Sequence, residues 1–311
     1  MKKLRLVEDN SLTFEEGCNK YLDNCRARNL REGTINHYRQ SYVQFYKYFN
    51  KNMQVSEIDE KVYQKYVVHL RETLHNDVSI NSYLRDFITT MHFLMREGYL
   101  SRFKMQAIKV DKSVVETYSD AELTILLKKP NVKKCSFTEY QCWVITNFLF
   151  STAVRQRSLM NIRVKDIDFD NNVVFVRVTK NRKTLIVPFN KTMSSILQEF
   201  LKYRQYNSNE DFLFCNVFGK QLNKSTSYHM LYEYNKRRGV DTTGIHRYRH
   251  TFAKQWILNG GNVVSLSKIL GHSSLQITQN YINLLVSDVS KEVENINLLD
   301  KFTTQKKIKM R

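Results

Sequence analysis

Apolar side chains recur at helical spacing through the first hundred residues, and between Arg102 and Val115 that period stops. A chain of 311 residues broken in this way closes around two cores rather than one, since domains usually hold about 100 to 200 residues. Before the break, Thr13 and Glu16 form a T-x-x-E capping box that opens a first helix. Ile35, Tyr38, Tyr42, Phe45 and Phe49 then alternate steps of three and four, which makes one continuous apolar stripe. Val62, Tyr66 and Leu70 predict a third helix, and Ile80, Leu84, Phe87, Met91 and Leu94 a fourth that Gly98 ends. Four short amphipathic helices make a bundle. Its aromatic stripe is read as core and not as a platform for bases, because aromatics at helical spacing usually face other helices.

The break itself carries Lys104, Lys109 and Lys112, and reads as an exposed linker able to lie along a phosphate backbone. Beyond it, Ser119 with Glu122 opens another helix, and Cys142 to Phe150 is apolar enough to be a buried one. Val173, Phe175 and Arg177 alternate with Val174, Val176 and Val178, and after a basic turn Thr184 to Phe189 completes a β-hairpin with a lysine-rich tip. From Asn190 the chain returns to helices, with stops at Gly239, Gly260-Gly261 and Gly271. Ile282, Leu285, Val289, Val293, Ile296 and Leu299 predict an amphipathic helix near the end. The expected organisation is a helical domain over 1–108, a linker over 109–118, a second domain over 119–295 and a basic tail over 296–311. The fold class is mainly α with a small antiparallel β-sheet.

Lys plus Arg number 49 against 30 Asp plus Glu, a net charge of +19 that favours a polyanionic partner, nucleic acid before a membrane surface. Residues 1–108 hold 17 basic and 13 acidic side chains, the remainder 32 and 17, so the stronger field belongs to the second domain. No apolar run is long enough to cross a membrane and none of signal-peptide length follows Met1, so a cytoplasmic protein is expected. Cys18, Cys25, Cys135, Cys142 and Cys215 include no C-x-x-C pair and read as reduced, mostly buried thiols. Asp166, Asp168 and Asp170 resemble the start of a calcium loop, but Asn171 holds the glycine position and Arg177 the closing glutamate, so they read as solvated edges and turn formers. With no Walker-type phosphate loop either, no cofactor or metal is expected.

The chemistry lies in an ordered set in the second half. Arg155 follows the apolar helix where another would begin, a place where a guanidinium needs an anionic partner; an internal ion pair or a bound phosphate would each serve. His246 and Arg249, spaced i, i+3, share a helix face and offer a switchable proton carrier beside a permanent cation. His272 taken alone reads as well as a cap beside Gly271 and Ser273, and an H-x-x-R alone is weak. The joint order, with Tyr281 nine residues after His272, is far more specific. Cations and donors gathered for one phosphate, with a phenol able to attack it, describe covalent phosphoryl transfer. The lysine-rich hairpin tip offers Lys180 and Lys183 as candidates for a general acid, with Arg182 less suited by its very high pKa.

Ser151-Thr152-Ala153-Val154-Arg155, His246-Arg247-Tyr248-Arg249-His250-Thr251-Phe252-Ala253 and Leu270-Gly271-His272-Ser273-Ser274 followed by Tyr281 resemble the three signature boxes of the tyrosine recombinase, or phage integrase, family. The resemblance is detailed over roughly 119–285 and looser before it. The arginine box departs from the family pattern, with Ala153 standing for a glycine and Ser158 for a glutamate, and so does the hairpin, where the glycines usual around the lysine are Thr179 and Asn181. The resemblance implies a core-type DNA-binding domain and a catalytic domain closing around duplex DNA as a C-shaped clamp. Its catalytic set would be Arg155, Lys180, His246, Arg249, His272 and Tyr281, the last forming a 3′-phosphotyrosyl bond and freeing a 5′-hydroxyl. Exchange of one ester for another needs neither metal nor ATP. A site-specific recombinase is implied, an integrase or transposase of a mobile element or a Xer-like resolvase, acting as a tetrameric synapse on two duplexes with accessory DNA-bending proteins as an open addition. A type IB topoisomerase-like enzyme and a non-catalytic DNA-binding regulator remain as alternatives.

Overall fold

A computed structural model describes residues 11–110, 116–179, 183–272 and 274–282. The chain divides into two compact units, Met1–Ser113 and Val114–Arg311.

The first unit is the expected bundle: α1 (Phe14–Ala27), α2 (Glu32–Phe45), α3 (Glu60–Thr73) and α4 (Asp77–Arg96). The Thr13 hydroxyl accepts from the Glu16 amide while the Glu16 carboxylate accepts from the Thr13 amide, so both orphan donors at the start of α1 are met. The stripe on α2 is core. Tyr42 and Phe45 are buried, and although α2 ends at Phe45, the turn after it still drives Phe49 inward, where its ring lies 4.8 Å from Phe14 and 5.2 Å from Phe87. Residues 101–110 lack regular structure but are not a free spacer. The Tyr63 hydroxyl donates to the Gln106 carbonyl at 2.7 Å, the Asn81 side chain to the Ile108 carbonyl at 3.0 Å, and Phe103, Met105 and Ile108 pack on the bundle while Lys104 and Lys109 stay exposed. Alternate apolar residues hold this strip down, a pattern too short to announce itself in the sequence.

The second unit contains α5 (Asp120–Leu127), α6 (Phe137–Thr152), α7 (Gln156–Leu159), β1 (Ile167–Asp168), β2 (Val173–Val176), β3 (Leu185–Pro188), α8 (Lys191–Tyr203), α9 (Lys224–Arg237), α10 (Ile245–Leu258), α11 (Val263–Leu270) and α12 (Leu275–Ile282). The helix α6 packs against α5, α8, α9 and α10, which is why it is buried along most of its length. The sheet is antiparallel in the order β1-β2-β3, with Val174 opposite Ile167 on one side and Val187 on the other. Tyr118, placed in the linker by the sequence, is 2 % exposed in this core; its hydroxyl accepts from the Asn235 side chain at 3.1 Å and its ring lies 4.5 Å from Tyr248. All five cysteines are free thiols and four are buried. No helix among the described residues is long and apolar enough to cross a membrane.

The acidic run is only partly the solvated edge expected of it. Asp168 does form a turn, accepting from the Asp170 and Asn171 amides, but Asp166 is not a solvated edge. It is 2 % exposed and accepts from the Arg163 amide at 2.9 Å and from the Arg177 guanidinium at 2.7 Å. A side chain bonded across β2 gives no local signal eleven residues earlier.

In α6 and α11 the C-cap residue itself is left-handed. Ala153 closes α6 and Gly271 closes α11, with φ of 51° and 57°. A Cβ on Gly271 would stand 3.0 Å from Leu185 Cδ2, whereas the Ala153 methyl is already buried in a small cluster with Ala253, Leu266 and Leu270. Gly271→Ala should therefore cost about 1–2 kcal/mol from left-handed strain alone. Ala153→Gly should stay within about 1 kcal/mol of the parent, since relief of that strain offsets loss of a buried methyl worth about 0.8 kcal/mol. Trp143 and Trp256, the two tryptophans, both lie in this unit, so urea unfolding followed by tryptophan fluorescence measures the difference.

Candidate active site

The end of α6 turns the chain through Ala153 and Val154 and delivers Arg155 as the N-cap of α7, extended at φ −74° and ψ 151° and half-buried. From α10, His246 and Arg249 project on one side as their i, i+3 spacing requires. Arg249 is 5 % exposed. Its Nη1 donates to the Ala153 carbonyl at 2.7 Å, and its Nη2 to the Leu270 carbonyl at 2.6 Å and to His272 Nε2 at 3.0 Å. The guanidinium therefore ties α10 to the C-terminal ends of α6 and α11, where helix carbonyls gather partial negative charge.

A guanidinium only donates, so His272 Nε2 accepts and the ring proton sits on Nδ1, which donates to the buried Thr278 hydroxyl at 2.8 Å. This contact orients the ring and fastens the box after α11 to α12, the helix that carries Tyr281. Burial, then Arg249, Arg155 and His250, push the His272 pKa down to about 4, so this imidazole is neutral near pH 7. His246 keeps solvent contact, yet the protein packed around it, followed by the charges of Arg249, Arg155 and Lys224, holds it below the ordinary 6.5. His250 is depressed in the same way by burial, His246 and Arg249. Three histidines thus stand uncharged around two permanent cations.

Beside them opens a cleft of about 520 Å³ lined by Arg155, Thr179, Lys183, Thr184, Leu185, Gly271 and His272. It offers two cationic side chains and an imidazole to one ligand, which suits a phosphate group. Another cavity of about 480 Å³, lined by residues that include Glu139, Cys142, Glu233 and Arg237, contains none of the predicted site residues and carries opposed charges.

The structure thus brings Arg155, His246, Arg249 and His272 together. Tyr281 lies on α12, which packs against α10 and α11, while the placement of its side chain falls outside the described residues. Lys180 also falls outside them; Lys183, its rival, is at the cleft. Sequence reasoning missed His250 and Thr278. The first was within reach, since it follows His246 at i+4 on the same helix face. The second was not, because its contact exists only once α12 has folded back onto the His272 loop.

The family model described as the phage integrase family matches residues 116–287, and that of the phage integrase SAM-like domain matches residues 13–110. The chain is 27% identical over 296 residues to tyrosine recombinase XerC of Leptospira interrogans, covering 92% of each chain. To tyrosine recombinase XerA of Saccharolobus solfataricus it is 36% identical over 149 residues, 48% of each chain. Among solved structures, the Tn1549 transposon integrase in complex with transposon right end DNA superposes with a TM-score of 0.73 at 19% identity, covering 92% of this chain and all of that one. A lambda integrase dimer bound to a COC′ core site gives 0.71 at 14% identity, covering 97% and 82%. The first of these family matches takes in more than half of the sequence and every side chain of the cluster around Arg249, and the chain belongs to the phage integrase family.

Proposed function

We propose that this chain is a site-specific DNA recombinase that breaks and rejoins duplex DNA through a 3′-phosphotyrosyl intermediate. The observation that carries the reading is Arg249, buried and bonded to His272, beside the cleft that Arg155 lines. In that cleft a scissile phosphate would set its non-bridging oxygens against Arg155 and Arg249, which stabilise the charge gathering there in the transition state. The phenol of Tyr281, with an unperturbed pKa of about 10, is a poor nucleophile at neutral pH and gains from a nearby base. His246, held neutral by its surroundings, accepts that proton. His272 adds a hydrogen bond, and a hairpin lysine, Lys180 by family register, protonates the departing 5′ oxygen.

Double-stranded DNA as partner is supported by the +19 charge and by the DNA complexes named among the structural relatives. Exchange between two duplexes calls for one protomer at each cleaved strand, hence a tetrameric synapse; the helical spacing of apolar residues from Ile282 to Leu299, outside the described residues beyond its first member, is the sequence feature that supports this reading. Integration, excision, transposition and dimer resolution all draw on this one exchange of strands.

A nicked suicide duplex tests the covalent step. The parent should form a denaturant-resistant protein–DNA adduct, and Tyr281→Phe should form none while binding DNA with nearly parental affinity. An adduct with Tyr281→Phe would move the nucleophile to another tyrosine, and absence of strand exchange between two intact sites would favour the topoisomerase-like alternative.

Cleavage should persist in EDTA, because the oxyanion is met by arginines and not by a pair of metal ions. Strict dependence on magnesium would remove the mechanism. The pH profile depends on the histidines: His246 must be neutral to act and its pKa in the free protein is lowered, so at subsaturating DNA the acid limb of cleavage should have its midpoint below the ordinary histidine value of about 6.5. A single-turnover profile with its acid limb above pH 7 would contradict the assignment.

A further inference from the structure

Two buried hydroxyls meet at the neck of the β2–β3 hairpin. The last ladder pair among the described residues is Val176 with Leu185, so the strand pairing has ended before the tip begins. There the side chains take over. Ser158, 5 % exposed, lies on α7 one turn after Arg155, and its hydroxyl donates to the Val178 carbonyl at 2.9 Å. Thr179, 8 % exposed, donates through Oγ1 to the Lys183 carbonyl at 2.6 Å and so draws the two sides of the neck together. On its other side the neck is backed by Gly271, whose missing Cβ leaves room for Leu185. The hairpin neck is thus fastened to the Arg155 helix and seated on the turn that carries His272, with Thr179 and Lys183 both lining the cleft.

A packing role alone does not require this arrangement. A buried hydroxyl bonded to a backbone carbonyl contributes about 1 kcal/mol to stability, and a methyl group would fill the same space. What the two bonds add is direction, since each grips a carbonyl that brackets the tip. We propose that Ser158 and Thr179 are positioning residues for the leaving-group proton donor: they hold the hairpin neck against the cleft so that a lysine ammonium meets the departing oxygen. The inference rests on the phosphotyrosyl reading. In that step the Tyr281 oxygen bonds to phosphorus, the bond from phosphorus to the 5′ oxygen breaks, and that oxygen takes a proton from the ammonium, leaving an amine and a 5′-hydroxyl. With sulfur in the bridging position, the leaving group departs as a thiolate and takes no proton.

The test compares single-turnover cleavage of oxygen-bridged and sulfur-bridged suicide duplexes by the full chain and five variants. Ser158→Ala and Thr179→Val should lose roughly 10- to 100-fold on oxygen, the scale of a misplaced catalytic group, and recover most of the parental rate on sulfur. Thr179→Ser, which keeps the hydroxyl, should match the parent on both. Equal losses on both substrates, or no loss on oxygen, would overturn the proposal. Lys180→Ala and Lys183→Ala run in parallel. If one of them is rescued by sulfur while Ser158→Ala and Thr179→Val are not, the positioning inference fails and the lysine reading stands. If neither lysine variant is rescued, the proton-donor reading itself falls, and the proposal with it.

Discussion

A guanidinium cannot shed its proton, so burying Arg249 obliges the fold to surround it with acceptors. Taking an ion out of water costs several kcal/mol, and hydrogen bonds to a charged group return about 1.5–3 kcal/mol each. The acceptors are the Ala153 and Leu270 carbonyls and the ring of His272. None belongs to α10. The cation is satisfied only when α6, α10 and α11 are packed together, and the geometry that satisfies it is the geometry that places Arg155 at the end of one helix and His272 at the end of another. The packing of this unit and the placing of Arg155 and His272 thus rest on the same three hydrogen bonds.

Burial, and after it the charge of Arg249 beside each ring, is why His272, His246 and His250 all titrate below the ordinary histidine value. Protonation of His272 would also set an N–H against the Arg249 N–H that its Nε2 now receives. A phosphate entering the cleft reverses part of this balance. Its negative charge would offset the arginines and raise the basicity of the imidazoles around it, in the direction that the base role proposed for His246 requires. Substrate charge and proton affinity are linked through Arg155 and Arg249, and the resting site keeps its histidines neutral.

Features written in local spacing were legible from the sequence. The capping boxes at Thr13 and Ser119, the stripe on α2, the hairpin and the glycine stops depend on neighbours a few residues apart, and so does the sharing of one face by His246 and Arg249. Contacts made across the chain were not. Asp166 looked solvated because its partner Arg177 reaches it only after the β2 turn, and Tyr118 looked like linker because its partners Asn235 and Tyr248 lie more than a hundred residues on. β1 is two residues long, too short for alternation to show. Thr278 offered no signal, since a threonine inside a helix acquires meaning only from the imidazole set against it.

The two departures in the arginine box show how such a site tolerates change. Ala153 adopts a left-handed backbone where glycine would be at ease, yet it is buried in a cluster with Ala253, Leu266 and Leu270, and an alanine has less freedom to lose on folding. Ser158 cannot supply a carboxylate to an arginine, but its hydroxyl reaches across to the hairpin instead. In both places the change falls on a supporting contact and leaves the cationic groups in position. The demand at the phosphate is set by charge and is narrow; the demand on its supports is set by backbone path, which an alanine or a serine can meet by other bonds.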